Sequence, residues 1–136
     1  MFYGGSGGDC FQAGSGNDTI YGESGRTTVW AGAGNDVVYD VHAGSANVIG
    51  HGNATFICGA GTDWFVFEKG HGGGTDVIKG FLPGKDYLTL QGFGANAVSA
   101  ALATAKVAGG SLSLALTDGT KVTLAGVKSL TSHNFI

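Results

Sequence analysis

Four aspartates in the first half of the chain, Asp9, Asp18, Asp36 and Asp63, are separated by multiples of nine residues. Each ends a small-residue run: Gly4–Gly8, Ala13–Asn17, Ala31–Asn35 and Cys58–Thr62. Carboxylates carried on tight glycine turns, with backbone carbonyls beside them, form an all-oxygen donor set. Hard cations such as Ca²⁺ take six to eight such ligands. Other chemistry is thinly represented. Gly4-Gly5-Ser6-Gly7-Gly8 matches GxSxG, but a nucleophile elbow needs a strand before it and a helix after it, and here the motif opens a turn array. There is no HExxH, and His42, His51, His71 and His133 share no ligand spacing. The reading is of a non-enzymatic chain.

The aspartate spacing belongs to a repeat. Cutting every nine residues from Gly4 yields seven gapless units, ending at Val66. Position two is Gly5, Gly14, Gly32, Gly50 and Gly59, with Glu23 and Val41 as departures. Position four is glycine except at Ala43. Glycines at alternate positions permit positive φ and a tight turn. Position eight is Phe11, Ile20, Val29, Val38, Phe56 and Phe65, an inward column broken by Asn47, where a one-residue slip would offer Val48 or Ile49 instead. Each unit therefore predicts a six-residue turn and a three-residue strand.

So short a strand buries its apolar face only by stacking. Two units per coil give an 18-residue coil and two parallel sheets, with successive coils about 4.8 Å apart. Asp18 and Asp36 then share one side in adjacent coils, while Asp9 and Asp63 lie on the other side, three coils apart. Carboxylates one strand spacing apart require neutralisation, and a cation between coils makes binding and folding one equilibrium. Position nine, with Tyr21, Trp30, Tyr39 and Ile57, points outward, and Tyr21 and Tyr39 stack on one face. Cys10 and Cys58, about 14 Å apart by strand spacing, are expected to be free thiols.

Composition agrees with this reading. Of 136 residues, 27 are glycine, one is proline and 12% are charged, against a 43% apolar share. That balance excludes a solvated disordered chain, and the absent three-residue glycine period excludes collagen. No apolar run is long enough to span a membrane as a helix. Charge is uneven: residues 1–66 set Asp9, Asp18, Glu23, Asp36, Asp40 and Asp63 against Arg26 alone, whereas residues 67–136 carry six lysines and four acids. The acidic half has no footprint for nucleic acid.

Beyond Val66 the frame changes. His71–Ile78 is one more nonapeptide-like turn, displaced by four residues, and alternation from Tyr87 reads as a strand. Ala97–Lys106 reads as a short helix. Ser111–Leu116 and Thr120–Leu124 flank Thr117-Asp118-Gly119 as a hairpin.

GGSGGD, AGSGND and AGAGND resemble the repeats-in-toxin (RTX, hemolysin-type calcium-binding) nonapeptide GGxGxDxUx. GGTDVIKGFLPGKDYLTLQGFG, DGTKVTLAGVKSL and SHNFI resemble the C-terminal segment of serralysin-type proteases and other type I secreted proteins, with Gly80 where that pattern has aspartate. The resemblance implies an all-β fold: a right-handed parallel β-roll over residues 1–66, then a β-sandwich-like C-terminal cap over residues 67–136. It implies Ca²⁺ held by carbonyls and aspartates of facing loops, foremost Gly14, Gly16 and Asp18 with Ala31, Ala33 and Asp36. Gly5, Gly7 and Asp9 would pair with a loop carrying Thr27, Asp63 would look back to Ser45, and Asp76 and Asp86 are further candidate ligands. It further implies secretion of a larger bacterial exoprotein by type I machinery that reads a C-terminal signal, with an upstream catalytic or adhesive domain and folding on calcium outside the cell. A stand-alone adhesin or polysaccharide-binding roll is the alternative.

Overall fold

Glycine turns and apolar alternation produce short strands at every predicted place. The computed structural model describes residues 1–40 and 44–136; Val41, His42 and Ala43, with their two departures from the glycine columns, lie outside them. The strands are β1 (Phe2–Tyr3), β2 (Asp9–Gln12), β3 (Thr19–Tyr21), β4 (Thr27–Trp30), β5 (Asn35–Tyr39), β6 (Ala46–Ile49), β7 (Asn53–Ile57), β8 (Trp64–Glu68), β9 (Thr75–Lys79) and β10 (Tyr87–Gln91). Helix α1 (Ala97–Ala103) follows, then β11 (Lys106–Ala108), β12 (Ser111–Ala115) and β13 (Lys121–Ala125).

Strands alternate between two sheets, which is what two units per coil require. One sheet runs β1-β3-β5-β7-β9-β13-β12-β11, the other β10-β8-β6-β4-β2. The repeat strands pair in parallel, with Ile20 beside Val38 and Val38 beside Phe56 in the first sheet, and Phe11 beside Val29 in the second. The protein is an all-β parallel β-roll. Parallel pairing continues past Val66, which lies inside β8: β9 pairs with β7, and β10 with β8. These two rungs step by 22 and 23 residues, as in Thr55 to Val77 and Trp64 to Tyr87, so insertions sit in loops and the sheets stay in register. The hairpin β12–β13 then adds to the edge of the first sheet, with β13 parallel to β9.

The core is two facing columns. Ile20, Val38, Phe56, Ile78, Leu124 and Leu112 stack in one sheet. Phe11, Val29, Asn47, Phe65 and Leu88 stack in the other. Phe56 meets Phe65 edge-on at 5.4 Å between the two sheets. The slip at Asn47 does not occur: Asn47 pairs with Val29 and Phe65 in unbroken register, is 1% exposed, and donates its Nδ2 to Ser45 Oγ at 2.6 Å. Ladder hydrogen bonds outweigh one polar side chain, which finds a local partner instead.

The glycine columns are a matter of close approach. A Cβ built on Gly32 or Gly34 would strike the carbonyl oxygen of Gly14 or Gly16 in the preceding coil, and both glycines have positive φ, +78° and +129°. Glu23 keeps the left-handed backbone without glycine, at φ +57°. That conformation costs about 1–2 kcal/mol.

Candidate metal centre in the turns

Position six of each unit lies within one residue of a strand start and faces inward, so the coils stack these residues into two columns. The first holds Asp18, Asp36, Ala54 and Asp76; the second holds Asp9, Thr27, Ser45, Asp63 and Asp86. One geometry recurs. A backbone N–H donates to the carboxylate one rung further on: Asp18 N–H to Asp36 Oδ1 at 2.9 Å, Ala54 N–H to Asp76 Oδ1 at 2.9 Å, Ser45 N–H to Asp63 Oδ1 at 2.9 Å, and Asp63 N–H to Asp86 Oδ1 at 3.0 Å. Asp76 and Asp86 thus continue the repeat across the longer loops. In the first turn, Gly5 N–H donates to Asp9 Oδ2 at 2.8 Å.

The ladder takes one oxygen each of Asp36, Asp63, Asp76 and Asp86, and the second oxygen of Asp86 accepts the Leu82 N–H at 2.8 Å. Asp36 Oδ2, Asp63 Oδ2 and Asp76 Oδ2 are buried with no hydrogen-bond donor. Asp36, Asp63, Asp76 and Asp86 are at most 2% exposed. Among the described residues the one ion pair joins the N-terminal ammonium to Asp18 Oδ1 at 3.8 Å, leaving the buried carboxylates without a cation. Burial pushes the Asp76 carboxyl up to about 7, against the pull of the Ala54 N–H. Burial likewise raises Asp36, where the Asp18 N–H opposes the rise and the Asp18 charge adds to it. Burial raises Asp63 as well, with the neighbouring Asp40 carboxyl adding to the rise, and burial raises Asp86. Orphaned, desolvated carboxylate oxygens fit a hard divalent cation, which supplies the missing charge.

The turn carbonyls are partly engaged. Gly14 O accepts Ala33 N–H at 2.7 Å, Gly34 O accepts Asn53 N–H at 2.7 Å, and Gly5 O accepts Gly25 N–H at 3.2 Å. Each keeps a second lone pair. Gly16 O faces Gly34, Gly7 O faces Gly25, and Ala31 is buried at the turn entrance. Gly14, Gly16, Asp18, Ala31, Ala33 and Asp36 therefore lie on two facing turns one rung apart.

Two features escaped the sequence reading. Asn17, Asn35 and Asn53 form an amide ladder at position five: Asn35 N–H donates to Asn17 Oδ1 at 2.8 Å, Asn53 Nδ2 to Asn35 Oδ1 at 2.9 Å, and Thr75 N–H to Asn53 Oδ1 at 2.8 Å. Their 18-residue spacing was the available signal. The other is Asp40, 3% exposed, with neither side-chain oxygen partnered among the described residues. Ser6 lies exposed in the turn between β1 and β2, with no helix after it. Cys10 and Cys58 are free thiols. Tyr3, Tyr21 and Tyr39 stack face to face at 5.0 and 4.9 Å on the outer face of the first sheet.

Stacked glycine–aspartate turns on a parallel β-roll define a class of calcium-binding repeat. Residues 3–39 match the RTX calcium-binding nonapeptide repeat in four copies. A comparison with curated proteins finds no match. Among solved structures, the extracellular lipase LipA from Serratia marcescens is similar over 93% of this chain and 20% of its own, at 24% identity and a TM-score of 0.74. The AlgE6R3 subunit of the Azotobacter vinelandii mannuronan C5-epimerase is similar over 90% of this chain and 78% of its own, at 22% identity and a TM-score of 0.66. The chain spans about a fifth of the lipase's length. Among the described residues no helix is long and apolar enough to cross a membrane.

Proposed function

We propose that this chain is a non-catalytic calcium-binding RTX module that folds on taking up Ca²⁺ outside a bacterial cell. Its leading site is Gly14, Gly16 and Asp18 with Ala31, Ala33 and Asp36. Gly5, Gly7 and Asp9, then Asp63, Asp76 and Asp86, are the ligands of further sites. The observation that carries the reading is Asp36 Oδ2, buried and without a donor between two turns one rung apart. In this reading residues 1–66 supply the repeat turns, and residues 67–136 cap them and carry the type I secretion signal of a larger exoprotein. The repeat match and the likeness to an extracellular lipase support that route.

Calcium titration followed by far-UV circular dichroism tests it. Strand signal should rise on adding calcium and fall on chelation; an unchanged spectrum refutes calcium-driven folding. The stacked tyrosines favour a second reading, an adhesive or polysaccharide-binding roll, since a flat aromatic row suits sugar faces. Glycan binding by the isolated chain that is lost on Tyr21→Ala would support it.

A further inference from the structure

Gly4, Gly22, Asp40 and Cys58 occupy the same place in four successive rungs, each donating its N–H to the carbonyl that ends a strand in the next coil: Tyr21, Tyr39, Ile57 and Lys79. A Cβ built on Gly4 would stand 2.9 Å from Asp9 Oδ2, and one on Gly22 2.9 Å from Thr27 Oγ1. Position one therefore points at position six of its own turn. In the first two rungs that direction is empty; in the next two it is filled by Asp40 and Cys58. Cys58 Sγ and carboxylate oxygens of Asp63 and Asp86 lie within 4.8 Å of one another. Asp63 is fully buried and its Oδ2 has no donor. Asp40, the position-one residue of the preceding rung, is 3% exposed and neither of its carboxylate oxygens has a hydrogen-bond partner among the described residues. Lys85, next to Asp86 in sequence, turns its ammonium to the carbonyl of Ala60.

A thiol among buried carboxylates is a different donor set from the all-oxygen turns. Calcium selects oxygen; a thiolate selects zinc-class cations, which accept sulfur together with carboxylate oxygen in four-coordinate tetrahedral geometry. We propose that Cys58, Asp63 and Asp86, flanked by Asp40, form a site for a thiophilic divalent cation. Binding forms a metal–sulfur bond and releases the Cys58 thiol proton to solvent. The site rests on the same roll as the calcium reading, but takes Asp63 and Asp86 from its further sites into a sulfur-bearing donor set and leaves the leading site at Asp18 and Asp36 untouched.

The test uses the full chain folded in millimolar calcium, with Cd²⁺ as the probe. A sulfur-to-cadmium charge-transfer band should appear and saturate at about one equivalent. It should persist in Cys10→Ser and vanish in Cys58→Ser. Alkylation with peptide mapping covers the case in which Cys58→Ser fails to fold: Cd²⁺ should slow modification of wild-type Cys58 by about tenfold or more while Cys10 keeps its rate. Absence of the band in the folded wild type, its survival in Cys58→Ser, or unchanged Cys58 alkylation overturns the site and leaves the calcium reading intact. A chain that does not fold in calcium overturns both, because the cluster is assembled from separate rungs.

Discussion

Asp76→Asn separates the electrostatic cost of the aspartate ladder in chelator from its packing. Asp76 is fully buried, its Oδ1 accepts the Ala54 N–H, and its Oδ2 has no partner. Its carboxyl is held at about 7 in the folded chain against an ordinary 3.8. Between those values the folded state binds more protons than the unfolded one. Calcium-free stability therefore falls as pH rises through that window, and the loss is complete above it. Relative to a group that does not titrate, Asp76 costs the metal-free fold on the order of 4 kcal/mol at about pH 8, where it is ionised, and under about 2 kcal/mol at about pH 5, where folding must protonate it. Asparagine keeps the Ala54 hydrogen bond and removes the charge, while its unpaired amide costs about 1–3 kcal/mol at any pH. The benefit of Asp76→Asn should thus be larger at about pH 8 than at about pH 5 by about 2–3 kcal/mol. Urea unfolding in chelator reads this, with sucrose added so that both states are populated and Trp30 and Trp64 as fluorophores. An equal effect at both pH values, or a larger one at acid pH, refutes the claim that Asp76 is ionised without compensation.

Other substitutions probe the turns and core. Gly34→Ala should prevent folding even in calcium, because its Cβ would strike Gly16 O; a native circular dichroism spectrum contradicts the close approach. Glu23→Gly should stabilise the chain by about 1 kcal/mol in thermal unfolding, by relieving the left-handed strain at that turn. Phe65→Ala should cost about 3–5 kcal/mol, since Phe65 is 1% exposed and bridges the sheets through Phe56. Asp18→Ala combined with Asp36→Ala should weaken calcium binding in calorimetry far more than Asp63→Ala; equal losses contradict the ranking of sites.

Much of the roll is legible because its period is local. A glycine that avoids the carbonyl of the preceding coil, as Gly32 does, must recur at every rung, and so must an inward residue such as Val38. Asp18 and Asp36 meet because 18 residues make one coil. The continuation to Asp76 and Asp86 was harder to see, since loops of four and five extra residues break the count while the ladder hydrogen bonds hold the register. Asn47 looked like a fault in the inward column, and only its neighbour Ser45 explains how it is buried. The Asp40 and Cys58 cluster was invisible in the sequence because position one is glycine in the preceding rungs, where it contributes only backbone. Its meaning comes from the side chains that stacking brings to the same turn.

The most direct measurement is diffraction from crystals grown in millimolar calcium, with anomalous scattering to locate ions. Calcium clasped between rungs predicts an ion within coordination distance of Asp18 and Asp36, on the oxygen that the ladder leaves free. Asp18 and Asp36 adjacent with only solvent between them at that calcium concentration contradicts it.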